Sequence, residues 1–168
     1  YPYPPYPVPA RGKVDNPDRK YPFASEAITT GIRDATLTGE PYPIKALIVY
    51  GVNLLQTVPN PQRTLEALKK LDLVVVIDVA MTETARQADY VLPATSQFEK
   101  AEATFFNVEF PRNGFHLRQP LFPPRPGTLA EAEIHARLVE SLGELSEGQY
   151  RLLRRAARWG RTAFGLAF

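Results

Sequence analysis

Hydrophobic positions along this chain fall into short unbroken runs alternating with stretches of helical period. Ala46 to Tyr50 (ALIVY) is a continuous apolar run of strand length stopped by Gly51, the pattern of a strand buried on both faces of a parallel sheet. Pro61 to Lys70 (PQRTLEALKK) follows as a helix, with proline in its first turn and Leu65, Leu68 and Leu71 facing inward. Leu73 to Ile77 (LVVVI), ending at Asp78, reads as a second buried strand. Thr82 to Gln87 makes a short helical turn, and Tyr90 to Leu92, closed by Pro93, a third short strand. Upstream, Ser25 caps a short helix through Asp34, with Gly39, Pro41 and Pro43 ending it. Strand, helix, strand, helix, strand predicts a right-handed β-α-β-α-β unit, half of a doubly wound, mainly parallel α/β sheet of the Rossmann-like kind.

The flanks follow different rules. Tyr1 to Pro9 (YPYPPYPVP) has neither an initiator methionine nor the charged and apolar regions of a secretory signal. Its prolines favour extended polyproline II geometry, and it is read as a surface linker between domains in preference to a proline-motif ligand. Lys13 to Tyr21 continues as loop. At the other end, Gly148 to Phe168 spaces Arg151, Arg154, Arg155, Arg158 and Arg161 to form one basic stripe on a helix, with Leu152, Leu153, Ala156 and Trp159 as apolar area. A solvated face of a docking helix is favoured over an anionic membrane contact or a nucleic-acid patch, because the rest of the chain is not basic. The expected division is a proline-rich linker over 1–23, an α/β domain over 24–143 and a basic amphipathic helix over 144–168.

Composition narrows the chemistry. The 168 residues suit one ordinary domain, and a net charge of +2 does not suggest a nucleic-acid-coating protein. No stretch approaches the roughly 20 apolar residues of a membrane span. With no cysteine there is no disulfide framework, thiol nucleophile, or cysteine-held zinc or iron-sulfur cluster. The histidines, His116 and His135, have no partner ligand at useful spacing, so no metal site is expected.

In doubly wound sheets the ligand lies outside the carboxyl ends of the strands. There the sequence puts Gly51 and Asn53 after the first strand, Asp78 at the end of the second, and Thr82 and Thr84 just beyond. A carboxylate at that place commonly accepts hydrogen bonds from a ribose or base edge. Equally, Asp78 caps the Thr82 turn and Asn53 supplies only a turn residue. Thr82 and Thr84 could close the turn locally, and Glu83 and Asp89 are most simply turn and cap residues. Neither G-x-G-x-x-G nor G-x-x-x-x-G-K-[ST] is present, and no catalytic constellation can be assembled.

The segments PYPIKALIVYGVN, LEALKKLDLVVVIDV and MTETARQADYVLPATSQFEK, from Pro41 to Lys100, together resemble the third domain of the large molybdopterin oxidoreductases of the dimethyl sulfoxide reductase type. A weaker match runs from Asn107 to Gly143. Two flavours compete, polysulfide or thiosulfate reductase and nitrate reductase or formate dehydrogenase. The resemblance implies binding of the nucleotide end of one molybdopterin guanine dinucleotide. It places Asn53 on the family's loop asparagine, Ile77 and Asp78 on the strand-end pair at the guanosine, and Lys100 on a basic residue near the cofactor. Glu131 stands, with a one-residue gap, where many relatives have an aspartate contacting the nucleotide. Leu54 departs from the proline common after the loop asparagine.

The resemblance thus implies a fragment of a molybdenum-dependent oxidoreductase large subunit that does not catalyse by itself. Molybdenum and an iron-sulfur cluster are expected only in missing parts. Its implied partners are the other domains of the same subunit and an electron-transfer subunit. The rival reading is a stand-alone or degenerate scaffold or interaction module with the same core. Neither the parent's substrate nor its localisation is specified by these residues.

Overall fold

The computed structural model describes Val14 and residues 29–104, 116–143 and 146–159. The proline-rich linker apart from Val14, the Ser25 cap, Asn107 and Arg161 lie outside the described residues. The chain forms two compact units, one up to Ser96 and one from Gln97.

The first unit is built on three parallel strands, β1 (Ala46–Tyr50), β2 (Leu73–Asp78) and β3 (Tyr90–Pro93), in the order β1-β2-β3. Tyr50 pairs with Ile77, and Asp78 with Pro93. The fold is the α/β, parallel-sheet class expected, and the strands wind in one direction, as one half of a doubly wound sheet does. Helix α1 (Thr29–Thr38) runs a turn beyond the expected Asp34, up to Gly39 at φ +82°, and within that turn the Thr36 and Thr38 hydroxyls bond back to the carbonyls of Ile32 and Asp34 (both 2.9 Å). A single helical turn, α2 (Leu54–Thr57), unanticipated from the sequence, follows β1.

Helix α3 (Pro61–Lys70) has the boundaries its pattern predicts. Asn60, at φ +62°, caps it by accepting from the Arg63 amide at 3.1 Å, and Pro61 takes the first position, where no amide is needed. Of its expected inward residues Leu68 is buried and Leu65 and Leu71 are half-buried, while Thr64 and Ala67 are buried beside them.

Val49, Val74 and Val76 alternate onto one face of the sheet, where they form the core with Leu68 and Ala85. Leu54 and Leu55 of α2 and Leu71 close that layer. The expectation that β1 is buried on both faces is corrected. On the opposite face Ile48 is 57% and Tyr50 54% exposed, since the layer of α2 and α3 covers only the Val49 side. The central strand β2 comes nearer the expectation, with Val76 and Ile77 on opposite faces both at 0%.

In the second unit β4 (Glu102–Thr104) and β5 (His116–Arg118) pair antiparallel, and the sequence reading had not anticipated this ribbon. Helix α4 (Glu131–Leu142) ends at Gly143, which takes φ +69° as a left-handed cap. Helix α5 (Glu147–Arg158) is the expected basic helix. Ser146 and Gln149 start it with a reciprocal capping box: the Gln149 amide donates to the Ser146 hydroxyl (3.3 Å) and the Ser146 amide to Gln149 Oε1 (3.0 Å). Arg154 and Arg155 lie over the rings of Tyr150 and Trp159.

Candidate functional site

The carboxyl ends of the three strands gather the polar residues of the first unit. Gly51 leaves β1 at φ +62°, which strongly favours glycine, and its amide donates to the Ile77 carbonyl at 3.0 Å. A methyl group placed on Gly51 would meet nothing within 4 Å, so open space lies beside this backbone.

Two residues on, Asn53 ties the loop after β1 to the loop after β2. Its Oδ1 accepts from the Thr84 hydroxyl (2.8 Å) and the Thr84 amide (3.3 Å), and its Nδ2 donates to Glu83 Oε2 (2.6 Å). Thr84 is wholly buried, and its oxygen also accepts from the Leu55 amide at 3.1 Å. The hydroxyl's donor is thus spent inside the protein. The Asn53 amide, first among the causes, holds the exposed Glu83 carboxyl below its usual range, helped by a backbone N–H and by the charge of Arg86.

Asp78 stands between these loops at the end of the central strand. Its Oδ1 accepts from the Ala80 amide at 3.1 Å, and its carbonyl accepts from the Ala94 amide at 3.0 Å. Oδ2 has no partner among the described residues. The turn role and the capacity to bind therefore coexist in one carboxylate, with one oxygen for each. Thr82 closes its turn locally, its hydroxyl accepting from the Ala85 amide at 3.2 Å. Ile77 has its side chain in the interior and its carbonyl engaged by Gly51. Asp89, expected to be a turn or cap residue shaping the ligand loop, lies instead at the amino ends of β2 and β3, where its carboxylate accepts from the Val74 amide at 2.7 Å and fixes the start of β2.

Lys100 and Glu131 belong to the second unit, where they form an ion pair with each other. Both side chains are about 15% exposed, at 14% and 15%, so each charge satisfies the other away from bulk water. Glu131 also lies in the first turn of α4, where a negative charge suits the helix dipole. His116 and His135 are exposed, and no group of three or more histidine, aspartate or glutamate side chains able to hold a metal occurs among the described residues.

One residue at these strand ends escaped the sequence reading. Thr95, just past β3, is 1% exposed, and its hydroxyl has no hydrogen-bond partner among the described residues. No sequence signal distinguishes it from any other threonine in a loop.

Residues 27–140 match the family model described as molybdopterin oxidoreductase. Among curated proteins, the chain is 35% identical over 147 residues to the thiosulfate reductase molybdopterin-containing subunit of Salmonella typhimurium, covering 86% of this chain and 19% of that protein. It is 36% identical over 83 residues to trimethylamine-N-oxide reductase 1 of Escherichia coli, covering 49% of this chain and 10% of that protein. Among solved structures, acetylene hydratase from Pelobacter acetylenicus superposes with a TM-score of 0.56 at 32% identity, covering 66% of this chain and 15% of that one. The chain thus spans a fifth or less of the length of these relatives.

Proposed function

The chain belongs to the molybdopterin oxidoreductase family, and from that premise we propose that it forms the part of a molybdenum-dependent large subunit that holds the nucleotide end of a molybdopterin guanine dinucleotide. The observation that carries this reading is the Asp78 carboxylate. It lies at the carboxyl end of the central parallel strand, anchored through one oxygen, with the other available to ribose hydroxyls or guanine N–H groups. The open space beside Gly51 fits a ligand lying close to backbone. Bound, the cofactor carries the metal and its two-electron chemistry, while the protein supplies position and electrostatics.

Within this reading the residues divide their work. Asp78 touches the nucleotide. Asn53, Thr82, Thr84 and Ile77 position the loops around it, because their polar groups are largely engaged inside the protein. Lys100 and Glu131 brace the start of α4 by mutual neutralisation, which leaves little net charge for a pyrophosphate. Catalysis belongs to the parent assembly, whose other domains and electron-transfer subunit are this chain's partners.

Titrating guanosine diphosphate into the 168-residue chain by calorimetry tests the reading. Asp78→Ala is expected to weaken binding about tenfold or more, the usual weight of a hydrogen bond to a charged group. No binding heat from either chain would instead favour a cofactor-free scaffold, and equal binding by both would take the contact away from Asp78.

A further inference from the structure

We propose that Thr95 is a further ligand-contacting residue of the same site, its hydroxyl donating a hydrogen bond to an oxygen of the bound guanosine nucleotide. This rests on the nucleotide reading of the strand ends given above. Among the described residues four threonines are buried, Thr36, Thr64, Thr84 and Thr95. The first three have their hydroxyls bonded: Thr36 to the Ile32 carbonyl, Thr64 to the Asn60 carbonyl, and Thr84 to Asn53. Of these four, Thr95 is the one whose hydroxyl has no partner among the described residues, at 1% exposure. A buried hydroxyl without a partner forfeits its hydration and gains nothing in exchange, whereas valine would fill the same volume without that loss.

Position says which partner is due. The Ala94 amide bonds to the Asp78 carbonyl, so Thr95 leaves β3 directly beside the strand end that carries the Asp78 carboxylate. Counting by twos along the pleat from Val91, which pairs with Val76, puts Pro93 and Thr95 on the side of the sheet that Asp78 shares. A nucleotide oxygen at the carboxyl ends of β2 and β3 is the acceptor that this geometry provides for.

The test compares Thr95→Val, Thr95→Ser and Asp78→Ala in the 168-residue chain, by urea unfolding without nucleotide and by calorimetric titration with guanosine diphosphate. Thr95→Val is expected to be at least as stable as wild type without nucleotide, yet to raise Kd about fivefold, the fold-change of one hydrogen bond. Thr95→Ser, which keeps the hydroxyl, is expected to stay within about twofold of the wild-type Kd. If Asp78→Ala weakens binding and Thr95→Val does not, the site stands and Thr95 is no part of it. A Thr95→Val chain destabilised without nucleotide would mark the hydroxyl as a structural bond and overturn the proposal. Absence of any wild-type binding would overturn both readings together.

Discussion

At the scale of single residues, the tie between Asn53 and Thr84 concentrates most of the order at the strand ends. Removing the Thr84 hydroxyl leaves Asn53 Oδ1 and the Leu55 amide short of a partner, and removing the Asn53 side chain leaves the buried Thr84 O–H donor without its acceptor. Each of Thr84→Val and Asn53→Ala is expected to cost about 1–3 kcal/mol of unfolding free energy. The double variant should cost clearly less than the sum, since both changes abolish the same bond. Strict additivity in urea unfolding would show that the bond contributes nothing. The sequence brought Asn53, Asp78 and the two threonines to one end of the sheet, because strand patterns and turn residues are periodic and local. It left open which of their atoms face a ligand, because that depends on bonds across about thirty residues, as between Asn53 and Thr84. Thr95 was illegible for the same reason, since no local pattern reports whether a loop hydroxyl is buried or bonded.

At the scale of elements, helix α3 was legible to the residue because its start is coded locally by Asn60 and Pro61. The turn α2 and the β4–β5 ribbon were not, being too short for a period to show. Helix α1 is joined to α3 and its leading loop by charge. Arg33 and Arg63 donate to Asp34 Oδ1 at 3.1 and 3.0 Å, Arg33 reaches the Pro59 carbonyl at 2.6 Å, and Lys70 reaches the Leu37 carbonyl at 2.5 Å. Burial, the largest single influence, works against ionisation of Asp34, but the bonds and charges of Arg63 and Arg33 together outweigh it and lower its pKa. A carboxyl with a depressed folded pKa adds stability above its unfolded pKa of about 3.9, and that contribution is lost as pH falls through the lower folded value. Asp34→Asn is therefore expected to cost at most about 1 kcal/mol at neutral pH, because the pair is half exposed. The difference should vanish in acid below the usual aspartate range. Parallel denaturation curves for the two chains, taken from neutral pH downward, check this, and a gap that persisted at the acid end would refute the charge link.

At the scale of the whole molecule, parallel sheets are ordinarily covered on both faces, and this one is covered unevenly. Ile48, Tyr50 and Tyr90 lie on the face opposite the Val49 and Val76 core, with exposures of 57%, 54% and 63%, and Leu73 shares that face at 37%. Their apolar pattern misled the sequence reading of β1, because a continuous hydrophobic run reports that a face needs covering and not what covers it. The chain matches 19% or less of the curated relatives described above, so in a longer polypeptide that face has further sequence to meet. In the chain by itself, contiguous apolar area of this kind favours self-association, and β1 ends the order of strands among the described residues. Sedimentation velocity is expected to show the average mass of the 168-residue chain rising with concentration. Replacing Ile48 and Tyr90 by lysine should suppress that rise, with little loss of stability at these exposed positions, because a charge on the face opposes stacking of two sheets. Association undiminished in the double variant would put the contact elsewhere on the molecule and leave this face without a role in it.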